Sequence, residues 1–180
     1  LHTLEYAALA SSLGVALALS LGRALARPPR GRTAGALEGS ILGSAALPGA
    51  VLGIGMIRFW NRGAPFAWVY KSAAVVVLAE VARALPFIVA LLLTAWRRLP
   101  REYEEAAICL GAGERHVWRS IIWPQLRPMV LATWGLGYVL AAADVQATLL
   151  VYPPGCGTLP IRIYTLQHDG IMSNVAALCC

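Results

Sequence analysis

Residues 102–124 read EYEEAAICLGAGERHVWRSIIWP. The stretch is polar and charged, and it lies between long apolar runs. Pro100 suits a first helical turn. Glu102, Glu104 and Glu105 place negative charge near a helix N-terminus, where the macrodipole favours it. Leu99, Tyr103, Ala106, Ala107 and Leu110 then fall on one face at helical spacing. Gly111 and Gly113 are expected to stop that helix, because glycine readily takes the left-handed cap conformation. A second short helix is expected from Glu114 to about Ile122, with Pro124 and Pro128 closing the loop and starting the next apolar segment. Small Ala106 and Ala107 leave room for a close-fitting partner. From the residues alone, the segment is either a docking element or a solvated loop with two incidental helices.

The surrounding chain decides the compartment. Of 180 residues, 58% are hydrophobic and 13% charged, where a soluble domain carries about a quarter charged residues. Mean hydropathy is +0.64. A span needs about 20 mostly apolar residues, so the chain has room for roughly five. The net charge of +6 does not indicate nucleic acid, because the arginines sit between apolar runs as they do in membrane loops. Cys109, Cys156, Cys179 and Cys180 form no metal or redox spacing and read as small apolar residues. The chain opens on Leu1 and stops just as a run beginning near Ser173 gets under way, so a piece of a longer polypeptide is expected.

The first apolar run covers residues 6–21. A signal peptide is its rival reading, since Ala24-Leu25-Ala26 resembles a cleavage site, but Arg23, Arg27, Arg30 and Arg32 follow the run instead of preceding it. The second run, residues 37–57, holds Gly39-x-x-x-Gly43 and Gly49-x-x-x-Gly53, spacings that let helix backbones approach closely in lipid. Pro48 between them should kink or loosen the helix. Residues 66–96 are too long for one straight span and should begin with an interfacial piece. Within them Glu80 and Arg83 share a face. They are either a pathway or gate element or a structural ion pair. Pro86 should again break regularity. Residues 128–143, rich in Ala and Gly (Gly135, Gly137), read as a packed helix ended by Asp144. Residues 147–170 mix an apolar start, a rigid Pro/Gly turn and a short amphipathic piece.

Arginine placement orients the chain. Residues 22–36 and 97–127 hold Arg23, Arg27, Arg30, Arg32, Arg97, Arg98, Arg101, Arg115, Arg119 and Arg127. The alternate loops, residues 58–65 and 145–172, hold Arg58, Arg62 and Arg162. Ten against three puts residues 97–127 in the cytoplasm, the compartment that holds ATP.

Glu105-Ala106-Ala107, three residues, Gly111, nine residues, Ile121, one residue and Trp123-Pro124 resemble the EAA signature of ATP-binding cassette (ABC) importer permeases of the binding-protein-dependent, MetI-like superfamily. Every position agrees except Trp123, where the signature has Leu. The resemblance implies an all-α, polytopic transmembrane bundle over residues 1–180 with a cytoplasmic coupling loop at residues 97–127. It implies that Glu105, Ala106, Ala107, Gly111, Ile121 and Pro124 couple the chain to a cytoplasmic ATPase. ATP would bind the partner, and this chain would hold no cofactor. The implied partners are ABC ATPase subunits, a periplasmic substrate-binding protein, a second permease half or subunit, and lipid. The implied location is the bacterial inner membrane. Ala147-Thr148-Leu149-Leu150, Tyr152-Pro153-Pro154-Gly155, Thr158 to Tyr164, and Arg83-Ala84-Leu85-Pro86-Phe87 resemble segments of ferric-iron permeases, so iron(III) is the expected cargo. Thiamine, polyamine and phosphonate permeases are the alternatives.

An intramembrane enzyme is the reading from another class. His168-Asp169 and Asp144 are its best candidates for chemistry, but no nucleophile stands in a recognisable context and no H-E-x-x-H occurs. His116 has no ligand partner one turn away. An ungated channel lacks a filter motif. The single lysine, Lys71, is not preceded by the glycines of a P-loop, so ATP hydrolysis must reside on another chain. No metal site or catalytic residue is expected. Glu80, Arg83 and Asp144 are candidates for the pathway or gate. Tyr152, Arg162 and Tyr164 are candidates for contact with the binding protein, and Asp144, His168 and Asp169 for passing contact with cargo.

Overall fold

A computed structural model of the chain describes residues 2–26, 32–63, 67–152 and 159–168. Among them every regular element is helical: α1 (His2–Ala26), α2 (Arg32–Gly43), α3 (Gly49–Trp60), α4 (Ala67–Tyr70), α5 (Ala74–Arg98), α6 (Arg101–Cys109), α7 (Glu114–Val117), α8 (Trp123–Ala142), α9 (Thr148–Val151) and α10 (Leu159–His168). The fold is all-α.

The centre is a bundle of α1, α5 and α8. Ile88 and Leu92 of α5, Leu126 of α8 and Ala18 of α1 are fully buried in it. Small residues bring the helices together, as lipid-embedded packing requires. A methyl added at Gly14 of α1 would stand 2.9 Å from Ile88 Cδ1. One at Gly137 of α8 would stand 2.9 Å from both Ile88 Cδ1 and Ser11 Oγ. Ile88 therefore sits in a socket made by two glycines. Two hydrogen bonds fasten α1 to α8: Ser11 Oγ donates to the Trp134 carbonyl at 2.6 Å, and Trp134 Nε1 donates to Ser12 Oγ at 3.0 Å. Such interhelical bonds contribute about 0.6 kcal/mol each in a membrane.

The second apolar run does not form one kinked helix. It breaks into α2 and α3 through a short 3-10 turn at Ser44–Ala46, and the two parts are bent by 113°. Pro48 lacks the N–H that would continue the helix and disfavours the helical region for Leu47, whose ψ is 128°. The two G-x-x-x-G motifs thus have different fates. Gly49 and Gly53 lie against Gln146, Ala147 and Leu150, whereas nothing approaches Gly39 or Gly43 within 4 Å of a added methyl. α2 runs beside α5, tied by Arg97 to Glu38 at 2.6 Å. Arg97 is half exposed, so this pair is worth at most about 1 kcal/mol.

Pro86 was expected to break regularity, yet α5 runs through it unbroken, as neighbouring helices permit in a membrane bundle. Before it lies the separate four-residue helix α4. Among the described residues two helices, α1 and α5, are long and apolar enough to cross a membrane, or three if the bent pair crosses as one. The apolar run beyond residue 168 lies outside the described residues, as do Pro153, Pro154, Gly155, Cys156, Asp169, Cys179 and Cys180.

Candidate functional site

The polar interruption folds as a helix, a glycine turn and a second helix. Pro100 stands at the cap of α6, one position before the first turn, with φ −65° and ψ 127°; Glu102 and Glu104 fill that turn. The helix ends in a Schellman motif. Gly111 is left-handed at φ 82°, its N–H donates to the Ile108 carbonyl at 2.9 Å, and the Ala112 N–H donates to the Ala107 carbonyl at 3.0 Å. The expectation that both glycines stop the helix is half right. Gly113, at φ −68° and ψ 152°, instead begins α7, its carbonyl accepting from His116 and Val117 N–H.

The second helix is not a separate piece. α7 passes through a π-turn at Trp118–Ile122 directly into α8. Pro124 and Pro128 were expected to close the loop, but both lie inside this continuous helix. Pro124 has no N–H for the preceding turn. The wider π-turn sits just where that bond is missing, and such local adjustments let a helix run on through proline. Val117, Ile122 and Leu126 are buried in the α1–α5–α8 core. Trp118 lies 5.7 Å from Trp96 of α5, and Arg23 of α1 lies 5.8 Å over the Trp118 ring. The loop is therefore bolted to one end of the bundle through α8.

Tyr103, Ala106, Ala107 and Leu110 of the α6 segment, with Ser120, Ile121 and Gln125, line an open groove of about 420 Å³. Leu110 is 88% exposed and Tyr103 58% exposed. A nine-residue helix is marginal on its own in water, and an uncovered apolar groove beside it marks an interaction surface. Of the six residues assigned to coupling, Ala106, Ala107 and Ile121 come together in the groove, and Gly111 makes the turn beside it. Glu105 is exposed outside the groove lining, and Pro124 lies exposed on α8.

The opposite end of α5 holds the charged residues. Glu80 is 1% exposed and its Oε2 has no hydrogen-bond partner. No ion pair joins it to Arg83, which corrects the simple pairing. Arg83 Nη1 instead donates to the Leu47 carbonyl at 3.4 Å, at the α2–α3 break, and its charge acts on Asp144. Asp144 follows α8 and also acts on Glu80. The backbone N–H groups of Gln146, Ala147 and Thr148 face its carboxylate, while Oδ2 is buried with no partner. The sequence pairing of Glu80 with Arg83 on α5 missed this cross-helix arrangement. The signal was that each charge sits near an irregularity, Pro48 or the end of α8.

Tyr152 is half-buried against the cluster of Val75, Val76, Ala79, Ala147 and Val151. Arg162 and Tyr164 are exposed on α10, whose first residue, Leu159, donates its N–H to Thr3 Oγ1 at 2.7 Å. α10 thus lies at the N-terminal end of α1, away from the α6 loop. His116 and Cys109 are exposed, and the His168 side chain lies outside the described residues. Among the described residues no three His, Cys, Asp or Glu side chains gather as a metal site.

The family described as binding-protein-dependent transport system inner membrane component matches residues 14–178. The chain belongs to that family. Within this permease family it is 28% identical, over 138 residues, to a protein of Salmonella typhimurium named as a 2-aminoethylphosphonate transport system permease, covering 74% of this chain and 49% of the relative. It is 35% identical, over 94 residues, to the spermidine/putrescine transport system permease protein PotC of Escherichia coli, covering 52% of this chain and 36% of that relative. The chain spans about half the length, or less, of these curated relatives.

Proposed function

We propose that the chain is part of the transmembrane permease subunit of an ABC importer. It passes a small solute from a periplasmic binding protein across the bacterial inner membrane, driven by a separate cytoplasmic ATPase, and is not itself an enzyme. The observation that carries this reading is the groove of Ala106, Ala107 and Ile121 beside the left-handed Gly111, uncovered yet rigidly joined to α8. The ATPase occupies that groove. When ATP closes the ATPase, α6 moves with it, the α7–α8 rod transmits the motion, and the bundle rocks between outward and inward access. The shift requires that ATP favour one of the two states.

The cargo proposed is not iron. Its class follows the relatives, one named for 2-aminoethylphosphonate and one for spermidine and putrescine. These solutes share a primary amine, cationic at neutral pH. The second permease half, the binding protein and multi-pass insertion belong to the same proposal, with α10 and its Arg162 and Tyr164 on the periplasmic side.

The test is co-purification of the full-length parent with its ATPase in detergent. Wild type should retain the ATPase. Glu105→Lys combined with Gly111→Pro should lose it while the permease still inserts and elutes as one species. Equal retention by both would end the docking reading.

A further inference from the structure

Glu80 and Asp144 face each other across the packed ends of α5 and α8. Ala79 packs with Ala147 and Val151, and Val81 packs with Ala141, Ala7 and Ala10. Glu80 lies between Ala79 and Val81 in sequence, and Asp144 between Ala141 and Ala147, so these contacts bring the two residues to the same level of the bundle, near enough for the Asp144 charge to act on Glu80. This level adjoins the α2–α3 break, where Arg83 is held by the Leu47 carbonyl.

Arg83 acts on Asp144, which also faces the backbone N–H groups of Gln146, Ala147 and Thr148, but Arg83 is partly engaged by the Leu47 carbonyl and does not pair with Glu80. Glu80 Oε2 and Asp144 Oδ2 are both buried with no partner. A buried acceptor without a donor costs about 1–3 kcal/mol, and carboxylates in a membrane bundle are retained where they do work. Two oxygens, with no third acidic or histidine ligand among the described residues, make a poor divalent metal site. A primary ammonium carries three N–H donors in a small volume and suits two neighbouring carboxylates that each bury an unpartnered oxygen.

The geometry points to Glu80 and Asp144 as a subsite for a cationic amine group of the cargo, with Arg83 holding the α2–α3 break beside it. This rests on the permease reading above and names the part of the pathway that recognises the amine. Glu80 is closed over in this conformation, so the subsite is reached when the α3–α9 unit, packed through Gly49 and Gly53, parts from α5.

The test uses the complete transporter, with ATPase and binding protein, in proteoliposomes. Radiolabelled putrescine and 2-aminoethylphosphonate are the probes. Glu80→Gln and Asp144→Asn should each lower uptake about tenfold or more, chiefly through a raised KM, as loss of a charge-assisted bond implies. Glu80→Asp should recover part of the loss. ATPase co-purification, melting temperature and ATP turnover without cargo should match wild type. Uptake at the wild-type level in the double variant overturns the subsite. So does an equal loss of uptake and of cargo-independent ATP turnover, which would mark the pair as structural. If Glu80→Gln does not fold, Asp144→Asn is read by the same criteria. A wild-type transporter that carries neither amine refutes the cargo class itself, and that failure is visible before any variant is compared.

Discussion

Gly111 and Gly113 look alike in the sequence and differ in the backbone. Gly111 has φ 82°, a conformation that costs an L-residue about 1–2 kcal/mol. Gly113 has φ −68°, open to any residue. Gly111→Ala should therefore weaken ATPase binding about five- to thirtyfold, and Gly111→Pro, whose φ cannot be positive, should abolish it. Gly113→Ala should bind the ATPase as wild type does. Titrating purified ATPase onto the detergent-solubilised permease would rank the three, and a Gly113→Ala loss as large as that of Gly111→Ala would refute the assignment. At Gly137 the constraint is space instead. A side chain there meets Ile88 and Ser11 at 2.9 Å, so Gly137→Val should destabilise the bundle by about 1–3 kcal/mol, read as a lowered melting temperature in detergent. Gly135, with nothing within 4 Å, should accept Ala without loss.

Elements show where the sequence was legible and where it was not. The α6–Gly111–α7 unit could be read because its signals are local: acidic residues at the helix start, a 3.6-residue apolar face and a glycine at the stop. Prolines were harder, because proline removes one hydrogen bond but tertiary packing decides whether the helix survives. Pro86 and Pro124 lie inside helices, whereas Pro48 lies in a 113° break. The two G-x-x-x-G motifs were equally visible, and only the fold distinguishes them, because a close approach needs a partner helix. Gly53→Leu should separate α3 from α9, since its Cβ alone would come within 3.3 Å of the Ala147 carbonyl. Gly39→Leu should leave this chain's own packing intact. Limited proteolysis of the segment between α3 and α4 would report the difference, and equal protection of both variants would contradict the α3–α9 contact. The Glu80–Asp144 approach was illegible for the same reason: it joins residues 80 and 144 through helix ends whose register the sequence does not specify.

At the scale of the whole molecule, the bundle has two chemically different ends. One carries Arg23, Arg97, Arg98, the α6 loop and the Trp96–Trp118 contact; the other carries α3, α9, the start of α10 and the Glu80–Asp144 pair. From the arginine bias we infer that the first end faces the cytoplasm. Cys109 tests this directly, because it is exposed at the end of α6. In a parent protein whose other cysteines are serine, a membrane-impermeant maleimide should label Cys109 in inverted vesicles and not in intact spheroplasts. A cysteine placed at exposed Asn61, after α3, should show the reverse pattern. Adding the ATPase should slow labelling at Cys109 and leave the cysteine at position 61 unaffected, because the groove of Ala106, Ala107 and Leu110 lies on the same short helix segment. Labelling of both sites from one side would overturn the orientation. Reversed sidedness would leave the bundle intact but place the groove away from ATP, and a cytoplasmic motor could not then drive the transport proposed.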